Sequence, residues 1–182
     1  MFLSLWQRYK KDNNLSLSDF AAFAFHLPYT KMGKKALEQI LNEVDDEKQA
    51  ELRERLVEAQ FYNRFVGNLY TGSLYLSLLS LLKQSEKLVA GQRIGLFSFG
   101  SGAEAELFSM TLIDGYHDVL AKQDIQRMLD GRKQLTVNEY EEIFKSQLMQ
   151  SKENVLSEAP GRIGYCEFTG WQGQYRQYQL KK

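Results

Sequence analysis

The 182-residue chain holds one cysteine, two histidines and two prolines, and its 23 basic and 23 acidic side chains cancel. One cysteine cannot close an intramolecular disulfide or build a cysteine-rich metal cluster, and such usage suits a reducing compartment, so a cytoplasmic protein is expected. Zero net charge removes the electrostatic argument for a nucleic-acid binder or a membrane-surface protein. No apolar run approaches the ~20 residues that span a bilayer, and MFLSLWQRYKKDN lacks the order and the cleavage site of a signal peptide. Neither histidine has companions at metal-ligand spacing, so no metal site is expected.

The sequence does have apolar material for a core, with 43% hydrophobic and 13% aromatic residues. That length and composition read as one domain over residues 1–182, without repeat, linker or low-complexity tract. Phe2, Leu5, Trp6 and Tyr9 stand at helical spacing, so the chain opens inside an amphipathic helix. FAAFAFHL reads as a short buried strand that Pro28 ends. A helix is expected from Thr30, a candidate N-cap, to about Val44, with Met32, Ala36, Leu37, Ile40 and Leu41 inward. DDEKQAELRERL has the opposite charges, three or four apart, of a mostly solvated helix.

From about Gly72 the run GSLYLSLLSLLKQ is too apolar for a surface helix and belongs at the centre. RIGLFSF is the clearest strand, entering a glycine-serine turn, and AELFSMTLI is its antiparallel partner. Residues 116–150 read as two or three helices around GRKQLT. The tail alternates aromatic with polar residues as two short strands closing a sheet would. The class is therefore α/β with mixed strand directions.

Several positions are candidates for chemistry. His26, at the end of an apolar strand, is a group able to accept and return protons near neutrality, against the alternative of a satisfied structural histidine. Lys31, Lys34 and Lys35 crowd a helix start, where cations oppose the dipole, so an anionic ligand explains them better than helix stability does. Asn68 and Thr71-Gly72-Ser73 open the apolar helix, either as an ordinary cap or aimed at a polar ligand atom. Ser101 lies in SFGSG, which lacks the lysine of a P-loop and is followed by a strand where a nucleophile elbow needs a helix. Cys166 reads as packing on a strand, and His117 as a solvated residue near a helix start.

FAFHLPYTKMGKKAL, NLYTGSLYLSLLSLL and RIGLFSFGSGAEAELFSMTL together, in this order and spacing, resemble the later half of bacterial hydroxymethylglutaryl-CoA synthases, members of the thiolase superfamily. The resemblance implies one half of a layered αβαβα fold, a mixed sheet with helices on both faces, in an enzyme that is normally a homodimer. It implies an acyltransferase of the mevalonate pathway that condenses acetyl-CoA with acetoacetyl-CoA. By that similarity His26 is catalytic, positioning the acetoacetyl group and exchanging protons with its reacting oxygen. Lys31 and Lys35 then hold the CoA thioester, and Asn68 and Ser101 contact its acyl portion, with no cofactor beyond the CoA thioesters themselves.

The family carries its nucleophilic cysteine and glutamate base well upstream of the histidine motif, and only 25 residues precede His26 here. Both are therefore expected to be missing and the chain, lacking its N-terminal half, to be inactive alone and prone to oligomerise. The alternative is a non-catalytic thiolase-like module that binds acyl-CoA or serves in assembly.

Overall fold

The structure is a computed structural model that describes residues 1–100, 103–122, 124–148 and 166–180. They form two compact units, Met1–Asp130 and Gly131–Lys182.

In the first unit three strands, β1 (Phe20–Phe25), β2 (Arg93–Phe99) and β3 (Ala105–Thr111), form one sheet in that order. β1 runs parallel to β2, and β2 antiparallel to β3, which is the mixed sheet expected. The sequence FAAFAF explains the layers on its own. Successive side chains of a strand point to opposite faces, so Phe23 and Phe25 enter one core and Ala22 and Ala24 the other. The bulky face is covered by α1 (Phe2–Asn13), α2 (Lys31–Leu37) and α3 (Asp46–Ala59), through Phe2, Trp6, Leu37, Leu52 and Leu56. The alanine face is covered by α4 (Gly72–Gln84), through Leu74 and Leu81. Helices thus lie on both faces.

Trp6 anchors the opening helix. It is fully buried, edge-on to Phe20 and Phe23 at 5.3 and 5.7 Å between ring centroids. Its Nε1–H donates to Glu43 Oε1 at 3.0 Å, so the one polar atom of the ring is satisfied. Two more short helices, α5 (Tyr116–Ala121) and α6 (Ile125–Asp130), complete the unit.

Three expectations need correction here. The helix foreseen from Thr30 to Val44 stops at Leu37. Beyond it, i to i−3 hydrogen bonds such as Ile40 N–H to Leu37 C=O and Val44 N–H to Leu41 C=O lead into a 3₁₀ segment, Leu41–Glu43. Ile40 and Leu41 nonetheless both enter the core, as expected of the inner face. The Thr30 side chain caps nothing; its carbonyl instead accepts from Gln60 Nε2 at 2.6 Å, tying the start of α2 to the end of α3. Finally, Lys34 and Lys35 stand in the last turn of α2 rather than at its start, where cations suit the helix dipole. α3 is mostly solvated, as expected, over Leu52, Arg55, Leu56 and Ala59, which are buried beneath its charged face. Asp45 caps it, accepting from the Lys48 N–H at 2.8 Å.

α4 is as central as expected, yet its deepest positions include three serines, Ser73, Ser77 and Ser80, each at most 1% exposed. Their hydroxyls accept otherwise unpaired backbone N–H groups: Leu27 at 3.0 Å, Phe25 at 3.4 Å and Tyr62 at 3.1 Å. Among the described residues β1 is an edge strand of its sheet, so Ser73 and Ser77 supply what a further strand would. Small residues on both sides, alanines on β1 and serines on α4, let helix and strand approach closely.

The second unit contains α7 (Val137–Leu148) and an antiparallel pair, β4 (Cys166–Gln172) and β5 (Tyr175–Leu180). Thr136 and Glu139 form a reciprocal capping box at the start of α7. The tail strands exist as expected but make a two-stranded sheet of their own. Cys166 is exposed, so its reading as packing is overturned: on a two-stranded ribbon its position meets solvent.

Candidate functional site

The alternation of β1 decides where the histidine goes. After Ala24 the next position on that side is His26, whose N–H extends the strand pairing by donating to Phe97 O at 2.8 Å. Pro28 then turns the chain away. The ring is half-buried and meets Phe99 edge-on at 5.4 Å between centroids. Its Nδ1 lies 3.1 Å from Ser73 Oγ, at the first turn of α4. Burial lowers the His26 pKa from its ordinary 6.5, because removing water disfavours the charged ring. At neutral pH the imidazole is uncharged.

Beside it opens a cavity of about 260 Å³ whose wall is mainly apolar: Phe2, Phe25, Met32, Phe97 and Phe99, with Lys35 at the side. Gly33 permits this arrangement. A Cβ there would stand 3.1 to 3.2 Å from Leu27, Phe25 and Leu56, so the glycine lets α2 sit down on the end of β1. α2 thereby carries Lys35 to the same cavity as His26. A second, more polar cavity of about 480 Å³ is bounded by Thr71, Ser98, Gly100, Glu104 and Glu106, and Phe99 borders both.

The other candidate residues are placed as follows. Lys31 is exposed one helical turn before Lys35 and does not line the apolar cavity. Neither lysine makes an ion pair among the described residues. Asn68 is exposed in the loop before α4, where its Oδ1 accepts the Tyr70 N–H at 2.8 Å. That bond makes it a turn residue in this structure and leaves its amide NH₂ as a donor. Ser101 lies outside the described residues. His117 is exposed at the start of α5, its ring tilted by 32° against that of Tyr116 at 3.9 Å between centroids. No group of three metal-ligating side chains occurs among the described residues, and no helix among them is long and apolar enough to cross a membrane.

Sequence reasoning missed two features. Ser73 was read only as part of a helix start, although its hydroxyl meets the imidazole. The cavity wall was missed because Phe2, Met32 and Phe97 look like any core positions. The available signal was the serine spacing 73, 77, 80 on an apolar helix, which marks a face turned toward something that needs hydrogen bonds.

A mixed sheet between helical layers, with an imidazole at a strand end beside an apolar cavity, defines a thiolase-like α/β domain. Residues 48–160 match the family described as Hydroxymethylglutaryl-coenzyme A synthase C terminal. The chain belongs to that family. Over 157 residues it is 45% identical to the hydroxymethylglutaryl-CoA synthase of Enterococcus faecalis, covering 86% of this chain and 41% of that protein. A crystal structure of an HMG-CoA synthase complexed with CoA is 39% identical with a TM-score of 0.75, covering 93% of this chain and 42% of the other. MvaS in complex with 3-hydroxy-3-methylglutaryl coenzyme A is 27% identical with a TM-score of 0.76, covering 97% of this chain and 47% of the other. The chain thus spans less than half the length of these relatives.

Proposed function

We propose that this chain is the acceptor side of a hydroxymethylglutaryl-CoA synthase, one thiolase-like C-terminal domain that holds acetoacetyl-CoA for condensation with an acetyl group. The carrying observation is that His26 and Lys35, from a strand end and a short helix, border one apolar cavity. In this reading the acyl group enters the cavity, where low dielectric strengthens hydrogen bonds to a developing oxyanion. Lys35 and the exposed Lys31 lie outward and offset the CoA phosphates. Asn68 and Ser101 serve the acyl portion.

In the reaction the methyl carbanion of an acetyl thioester bonds to the ketone carbon of acetoacetyl-CoA. The carbonyl π pair moves onto oxygen, and His26 hydrogen-bonds that oxygen and shares its proton as charge builds. Water then releases hydroxymethylglutaryl-CoA from the enzyme thioester, as the mevalonate pathway requires. The 25 residues before His26 contain neither cysteine nor glutamate. The acetyl-transfer step therefore belongs to a part of the family protein not represented in this chain, and the chain alone binds without turnover. A cytoplasmic setting and a homo-oligomer, or association with a complementary half, complete the reading.

Calorimetric titration of the chain with acetoacetyl-CoA tests this without demanding chemistry. Saturable binding is expected, weakened in Lys35→Ala at low salt and unaffected in His117→Gln. Binding of CoA and acetoacetyl-CoA with equal affinity in both wild type and His26→Ala would remove His26 from the acyl site and favour a plain CoA-binding module.

A further inference from the structure

We propose that Ser73 is the positioning residue for His26, fixing the imidazole as its Nε2–H tautomer so that a hydrogen-bond donor is presented to the cavity. The protons and lone pairs at one buried oxygen fix the arrangement. Ser73 is 1% exposed, so its hydroxyl is served by protein groups rather than by water. It accepts the Leu27 N–H at 3.0 Å and lies 3.1 Å from His26 Nδ1. The Leu27 amide can only donate, which leaves the hydroxyl proton to be given to Nδ1.

The opposite tautomer would aim two N–H donors at one oxygen and leave the buried hydroxyl proton without the nitrogen acceptor beside it, which is the costly way to break a hydrogen bond. With Nδ1 accepting, the ring proton sits on Nε2. The lowered pKa keeps the ring neutral at pH 7, so this tautomer is the working form.

Ser73 is itself held in place. Asn63, nearly buried, donates from Nδ2 to the Ser73 carbonyl at 3.2 Å. The next serine on the same face, Ser77, accepts the Phe25 N–H, so α4 grips the end of β1 and the segment just after it at two points one turn apart. The imidazole is thus locked at both its backbone and its Nδ1 edge. A donor fixed before the ligand arrives needs no reorganisation when negative charge forms on the acyl oxygen. That functional meaning rests on the reading proposed above, whereas the tautomer rests on the geometry alone.

Long-range ¹H–¹⁵N correlation spectra of the labelled chain decide the matter, and only two histidines are present, so His117→Gln leaves His26 alone. Above pH 7 the folded chain should show Nε2 protonated and Nδ1 bare. The ratio of Nε2–H to Nδ1–H should exceed that of the same chain in urea about fivefold, the factor one net hydrogen bond supplies. Ser73→Ala should remove that excess and Ser73→Thr restore it.

Nδ1 protonated in the folded chain, or a ratio equal to that in urea, would overturn the proposal without any variant. So would a Ser73→Ala chain that folds and keeps the wild-type ratio. Failure of acetoacetyl-CoA to bind while the Nε2–H tautomer holds would overturn the proposed function and leave Ser73 in its role; the reverse pair of results would overturn only the role of Ser73.

Discussion

Burial of the His26 ring gives the chain a pH dependence with a definite sign. The folded imidazole has a lower pKa than the unfolded one near 6.5. The unfolded state therefore takes up protons first, and this contribution to stability is complete above about pH 6.5 and lost as pH falls below it. The urea midpoint is expected to fall between about pH 7 and pH 5, and His26→Gln should flatten that slope. The lowered carboxyl pKa values of Asp19, hydrogen-bonded by Ser16, and Glu38, paired with Arg53, act near pH 4 and below, so the two windows separate. Ser80 offers a second test at this scale. Its Oγ accepts the Tyr62 N–H and donates to Glu58 O at 2.6 Å. Ser80→Ala should therefore cost about 1–3 kcal/mol in chemical denaturation, the penalty for stranding buried backbone groups. An imidazole ending an apolar strand singles out His26 in the sequence, whereas the dipole argument for Lys34 and Lys35 fails, because α2 ends at Leu37 and both stand in its last turn, where cations suit the dipole. Ser73 was not legible there, since its meaning depends on a residue 47 positions away.

Among elements, β1 and β2 show how much of a fold a strand can state for itself. FAAFAFHL reads as a buried strand and RIGLFSF with AELFSMTLI as a hairpin, whereas the division of phenylalanines and alanines between two faces and the parallel pairing of β1 with β2 appear only in the structure. What the pattern did not state was where α2 would end, because Ile40 and Leu41 read as inward on a continued helix and are buried equally well beyond its end at Leu37. Nor did it reveal the underside of α3, where four buried positions hide among charges. Gly95 tests the packing of these strands. It is paired with Phe23, whose ring occupies the space a Cβ would need. Gly95→Ala should lower stability by about 1–3 kcal/mol, the usual cost of overpacking a filled core, read as a shifted urea midpoint with unchanged slope.

Among the described residues the buried clusters all fall within Met1–Asp130, while every residue of β5 is exposed. A two-stranded ribbon is marginal on its own. Hydrogen exchange should accordingly leave the β1 and β2 amides slowest and those of β4 and β5 among the fastest. α7 turns Tyr140, Ile143 and Phe144 outward, and such surface favours association. Sedimentation is expected to show species larger than one chain as concentration rises, and a monomer throughout would contradict that expectation. The small side chains between β1 and α4 carry one more consequence. Ala22 and Ala24 never approach the cavity, yet they act as the shim that sets how near the serine helix stands. Thickening that shim, as in Ala24→Val, should push Ser73 off the imidazole and blunt the ring's aim from behind, with no atom of the ligand's own wall replaced.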